Sequence, residues 1–145
     1  MIVAESEYLK GVPSILPMYD KSLVIELLDE IDEAIRRIKR RFSGITEADD
    51  FIRNDDGLDR LDAIGMMLIT LGENVRRLDK VTGGALLARY PEIDWPGVKG
   101  LRDVLAHDYF NIDAEEVYSI GVNDLQPLKH VLSRMREEIG SGDPS

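Results

Sequence analysis

Leu61-Asp62-Ala63-Ile64-Gly65-Met66-Met67-Leu68-Ile69-Thr70-Leu71-Gly72-Glu73-Asn74-Val75-Arg76-Arg77-Leu78 is the stretch on which the fold turns. Leu61, Ile64, Leu68, Leu71, Val75 and Leu78 recur at alternating steps of three and four, the spacing that gathers side chains onto one face of an α-helix. A half-buried strand would alternate by two, and no segment of the chain does so with comparable strength. Gly65 and Gly72 each cost such a helix about 1 kcal/mol relative to alanine, so the close approach of another backbone is the expected reason for them.

Upstream, Val24, Leu28, Ile31, Ile35, Ile38 and Phe42 fall at steps of four, three, four, three and four. They predict a long amphipathic helix from an N-cap at Ser22 to near Gly44, packed against the first. Between the two, Thr46 and Asp49 are spaced as a capping box and open a shorter helix through Phe51 and Ile52, which Asn54-Asp55-Asp56-Gly57 ends. Downstream, Val81 to Arg89 reads as a short helix closed by Tyr90-Pro91. Asp94 caps the next one, with Pro96 in its first turn, and that helix is expected to continue through Leu101-Arg102-Asp103-Val104-Leu105-Ala106-His107-Asp108-Tyr109-Phe110. A last long helix begins at Asp113 or Ala114 and carries Leu125, Leu128, Leu132, Met135 and Ile139; Pro127 inside it predicts a kink or a restart near Asp124. The expectation is an all-α antiparallel bundle over residues 22–139 with short additional helices. An N-terminal arm, residues 1–21, precedes it, and a flexible C-terminal tail, residues 140–145, follows.

The chain of 145 residues is long enough for one domain with a core of its own. It has no cysteine, which removes disulfides, zinc-thiolate sites and thiol nucleophiles. Its start lacks the basic and apolar regions of a signal peptide, and no run is long enough to span a bilayer, so a cytoplasmic protein with no membrane partner is expected. With two histidines, His107 and His130, neither a transition-metal centre nor a cofactor is expected. His130 reads as a surface residue. The acidic run Asp55, Asp56, Asp59 and Asp62 fits either Mg²⁺ or, more commonly, a solvated helix start. Gly83-Gly84 follows no strand and makes no dinucleotide fingerprint, and no serine sits in a nucleophile elbow.

A formal net charge of −10 argues against holding long nucleic acids by charge alone. Activity on RNA would need a local positive patch. Arg36, Arg37, Lys39, Arg40 and Arg41 supply one, either as cations that complement the C-terminal dipole of their helix or as a phosphate-contacting rim.

On a continuous helix, Val98, Leu101, Val104 and Leu105 share one side while Arg102, Asp103 and His107 share the other, which must meet water, another helix or another subunit. Arg102 and His107 would stand about 140° apart and so flank a phosphate lying across the helix. Histidine can move a proton near neutral pH, and arginine can stabilise the extra negative charge on a five-coordinate phosphorus. Together they suffice, without a metal, for attack of an RNA 2′-OH on the neighbouring phosphate. Asp103, one helical turn before His107, can orient the imidazole and raise its basicity. Tyr109 points nearly the same way as Arg102 and can bind a phosphate or be modified. A solvated face or an intersubunit salt bridge would use the same residue types.

Arg102-x-x-x-x-His107-x-Tyr109 resembles the signature of HEPN-domain proteins of the HepT toxin type, the ribonuclease halves of bacterial and archaeal toxin–antitoxin pairs. Leu71-Gly-Glu-Asn-Val-Arg-Arg-Leu78, Tyr90-Pro-Glu-Ile-Asp-Trp95 and Leu101 to Phe110 resemble that family's blocks in their usual order, and the resemblance runs from about Ser22 to Ile139. It implies a HEPN-type bundle forming a homodimer, with Arg102 and His107 of both copies lining one cleft. It implies a metal-independent endoribonuclease leaving a 2′,3′-cyclic phosphate: His107 as general acid and base, Arg102 as phosphate and transition-state ligand, Asp103 assisting. The implied partner is a minimal nucleotidyltransferase antitoxin that attaches AMP units to Tyr109, as in type VII-like systems. Bulky anions there would occupy the phosphate site. Some HEPN proteins keep the fold and serve as noncatalytic nucleotide- or partner-binding subunits, which is the alternative reading.

Overall fold

Asp20 begins the structure of the bundle, which a computed structural model describes for residues 19–108 and 111–141, without the side chains of His107, Asp108 and Ser141. Its carboxylate accepts the Leu23 amide at 3.2 Å, so Asp20 and not Ser22 is the N-cap of helix α1, Lys21–Arg41. Val24, Leu28, Ile31, Ile35 and Ile38 are all buried, as their spacing predicts. The connection that follows holds one 3₁₀ turn, Ala48–Phe51. Here the expected capping by Thr46 and Asp49 shifts by one residue, because Asp50 gathers three donors: the Thr46 amide at 2.8 Å, its hydroxyl at 3.1 Å and the Glu47 amide at 3.2 Å.

Asn54 starts the next helix instead of ending the previous one, accepting the Gly57 amide at 2.9 Å. Helix α2, Asp55–Val81, spans 27 residues and is the centre of the molecule. Leu61, Ile64, Leu68, Leu71, Val75 and Leu78 are buried along its whole length, each contributing roughly 1.5–3 kcal/mol relative to exposure. It packs antiparallel to α1: Asn74 donates to Glu30 at 3.2 Å, and Arg60 reaches back to the carbonyls of Arg41 and Ser43 at 3.0 and 2.8 Å. Phe42 stands edge-on to Phe51 with ring centroids 5.4 Å apart and closes that end of the core.

A short α3, Ala85–Ala88, follows Gly83 and Gly84, both at positive φ. The single helix expected after Asp94 is two: α4, Trp95–Lys99, and α5, Leu101–Leu105. Beyond Leu105 the chain is extended, and β1, Ala106–Asp108, pairs antiparallel with β2, Asn111–Ile112, in the register Ala106 opposite Ile112. This small ribbon is the only β-structure among the described residues, and the architecture remains an all-α bundle. Helices α6, Ala114–Asn123, and α7, Leu125–Ser141, meet at Asp124, the restart that Pro127 predicts. Helix α7 runs past Ile139 into the stretch expected to be tail, and packs Leu125, Leu128, Leu132, Met135 and Ile139 into the core. The arm up to residue 18 and the tail from residue 142 lie outside the described residues. No helix among the described residues is long and apolar enough to cross a membrane.

Candidate active site

Three residues of α2, spaced about a turn apart, hold the segment that carries the motif. A Cβ on Gly72 would lie 2.6 Å from the Val98 carbonyl oxygen, closer than any real side chain could sit, so the glycine is what lets α4 lie against α2. One turn on, Arg76 donates to the Lys99 carbonyl at 3.0 Å, and Asp79 forms an ion pair with Lys99. The last carbonyl of α4, that of Lys99, is thus taken up by α2. Gly100 donates to Pro96 and Gly97 at 3.0 and 3.2 Å and then accepts from Asp103 and Val104 at 3.0 and 3.2 Å, so one helix ends and the next begins at the same residue.

Upstream, Asp94 caps α4 as expected by accepting the Gly97 amide at 3.1 Å. Trp95 is buried and donates its indole N–H to the Tyr90 carbonyl at 2.8 Å. The Tyr90 hydroxyl bonds Glu138, which also pairs with Arg89, and Arg134 lies 5.0 Å above the Tyr90 ring while binding Glu92 at 2.6 Å. Burial pushes the Tyr90 hydroxyl above its ordinary pKa. Glu92 is held below the usual carboxylate range by its own amide and then by Arg134. This network ties the approach to the motif onto α7.

Helix α5 is anchored by Leu101 and Leu105, both buried, and turns Arg102 and Asp103 outward, both exposed. Leu101, Leu105, Arg102 and Asp103 are therefore disposed as the sequence predicts, whereas Val104, expected on the apolar side, is exposed. After Leu105 the expected geometry fails. Ala106 has φ −102° and ψ 103°, so His107 lies on an extended strand and the helical angles relating it to Arg102 and Asp103 do not apply. The cause is the ribbon: the Asp113 amide takes the Leu105 carbonyl at 3.0 Å, and Ile112 seats on Gly65, with its side chain 3.1–3.2 Å from where a Cβ would be. Arg102, Asp103 and the backbone of His107 are thus brought to one short span. The His107 side chain, and all of Tyr109, lie outside the described residues.

The basic run is elsewhere, in the last turns of α1. Arg36 binds Glu33 at 3.0 and 2.7 Å and Arg37 binds it at 2.9 Å, which holds the Glu33 carboxyl at about 2. Lys39 donates to Gln126 at 2.8 Å, and Lys39, Arg40 and Arg41 occupy the last turn of α1, where cations complement the helix dipole. Asp55 and Asp56 lie in the first turn of α2, and Asp56 pairs with Arg60 at 2.9 Å. Among the described residues no group of three or more His, Asp or Glu side chains is placed to hold a metal ion. His130 is exposed. Sequence reasoning missed Arg76, Asp79 and Lys99 as positioning residues; the signal was Arg76 one helical turn after Gly72.

Bundle and motif together define an all-helical protein that presents an arginine and an aspartate on a short, firmly seated helix ahead of a histidine-bearing strand. The chain belongs to the ribonuclease HepT-like family, whose model matches residues 31–135. Two relatives come from Methanocaldococcus jannaschii. The protein named "Putative RNase MJ0127" is 29% identical over 80 residues, 52% of this chain and 63% of its own length. The one named "Putative RNase MJ1216" is 24% identical over 123 residues, 85% of this chain and 92% of its own length. The match to the first therefore spans less than two thirds of that relative. No solved structure gives a significant match.

Proposed function

We propose that the protein is a metal-independent endoribonuclease, the toxin half of a type VII-like toxin–antitoxin pair acting in the cytoplasm. The family match over residues 31–135 carries this reading. Arg102, exposed on a helix that α2 holds in place, supports it. In the proposed reaction His107 takes the proton of an RNA 2′-OH as its oxygen attacks the adjacent phosphorus. Arg102 stabilises the added charge on the phosphorane. The bond to the 5′-oxygen then breaks, that oxygen receives a proton from His107, and a 2′,3′-cyclic phosphate remains. Asp103 assists by favouring the cationic imidazole. Two copies form a homodimer with their motifs lining one cleft, which answers what the exposed side of α5 meets. Arg36, Arg37, Lys39, Arg40 and Arg41 contact the RNA backbone beyond it. A nucleotidyltransferase antitoxin neutralises the enzyme by attaching AMP to Tyr109, whose phosphates then compete for Arg102.

The alternative is a noncatalytic subunit that binds nucleotides or a nucleotidyltransferase. The net charge of −10 favours it, since that charge opposes RNA binding. Cleavage of end-labelled RNA in EDTA by wild type, Arg102→Ala and His107→Ala separates the two. Cleavage that both substitutions abolish supports the enzyme; cleavage that survives both, or none from wild type, supports the binding subunit.

A further inference from the structure

A groove of about 470 Å³ opens between α4–α5 on one side and α6–α7 on the other. Its apolar walls include Val98, Leu101, Val104, Ile120 and Leu128, and Val104 is 41% exposed there, a large apolar side chain facing the opening. Four carboxylates, Glu92, Asp94, Glu116 and Asp124, share the lining, with no lysine, arginine or histidine of the described residues among them. Glu92 is occupied by Arg134 and Asp94 by the Gly97 amide. Glu116 and Asp124 are both exposed and make no ion pair among the described residues. An apolar floor under an acidic rim repels a phosphate backbone, so this is not an RNA path. It matches a segment with apolar anchors flanked by cations.

We propose that the groove docks a cationic amphipathic helix of a partner protein, with aliphatic anchors against Leu101 and Val104 and lysines or arginines against Glu116 and Asp124. The chain's own residues 1–18 carry Glu5 and Glu7 against one Lys10, the wrong charge for this rim. The basic run of a second copy is equally unsuited, because the apolar stripe of α1 is buried in its own core. The site bears on function through α5, since Val104 and Arg102 stand about 160° apart round that helix. A segment wedged against Val104 therefore presses on the element that presents Arg102.

The test is fluorescence anisotropy with the full-length protein and a labelled synthetic helix, leucine at i, i+3, i+4 and i+7 and lysine elsewhere, against the same peptide with glutamate for lysine. The lysine peptide should bind at least about tenfold more tightly. Glu116→Lys with Asp124→Lys should weaken it by at least about tenfold, and Val104→Gln should weaken it without changing charge. Asp59→Lys with Asp62→Lys, the same change of charge on the exposed face of α2, should leave it within about twofold. The proposal is overturned by equal weakening in the two double variants, which would assign binding to overall charge. It is also overturned by equal binding of both peptides, by no binding, or by hydrogen exchange showing the groove covered by residues 1–18 or by a second copy. None of these readouts depends on RNA cleavage.

Discussion

The α1–α2–α7 frame and the segment from Trp95 to Ile112 are built on opposite terms. The frame consists of helices of 21, 27 and 17 residues, each with an apolar face buried in one shared core. The motif segment consists of two five-residue helices and a short ribbon. Isolated helices below about 12–15 residues are marginal in water, so α4 and α5 exist because α2 holds them. A frame can be made by pattern alone. A site of short pieces needs the frame first, and its geometry is set where each piece touches it.

Substitutions can sharpen or break this contrast. The largest expected effect is on chemistry: His107→Ala should lower RNA cleavage by about 10²–10⁴-fold and leave the melting temperature unchanged, measured by gel assay and by circular dichroism. Leu71→Ala, at a position with no exposed area, should destabilise the protein by about 2–5 kcal/mol in urea unfolding, while activity per folded molecule is kept. Gly72→Ala should do the reverse in proportion. It costs about 1–3 kcal/mol, because the Val98 carbonyl must move, and it should lower the turnover of the folded fraction more than its RNA affinity. Equal retention of activity in the Leu71 and Gly72 variants would mean that α2 supports the motif only in bulk.

Smaller effects lie at the frame's edges. Asp20→Ala removes the α1 cap and should cost about 1 kcal/mol by chemical unfolding. Glu33 has a folded pKa of about 2, below the ordinary 4.5, so its pairs with Arg36 and Arg37 stabilise α1 fully above pH 4.5 and are lost as pH falls through about 2. The small melting-temperature difference between wild type and Glu33→Gln should therefore be constant at neutral pH and vanish in strong acid, as thermal melts across pH would show.

Much of the frame was legible because its signals are repeated. Six positions from Leu61 to Leu78 all point to one face, and all six are buried. Pro127 announces the restart at Asp124, and the backbone expected to approach Gly65 and Gly72 is found at Gly72, whereas Gly65 meets the Ile112 side chain. Caps were less legible, since Ser22 and Thr46 are as good by type as Asp20 and Asp50, and the choice follows from which carboxylate can gather the free amides. At the motif, sequence distinguished the buried Leu101 and Leu105 from the exposed Arg102 and Asp103. Sequence reasoning missed Gly97 and Gly100, which weaken a helix continuous from Asp94.

Alone, then, the sequence determined the all-helical class, the stripes that form the core and the residue types that can do phosphoryl chemistry, because periodic burial is a local property of spacing. Where the motif helix breaks, and that His107 leaves it for a strand, was decided only in three dimensions. The Val98 carbonyl packs on Gly72, the Lys99 carbonyl accepts from Arg76, and the Leu105 carbonyl accepts from the Asp113 amide. A short helix ends where another element offers its carbonyls a better partner, and that partner is distant in sequence.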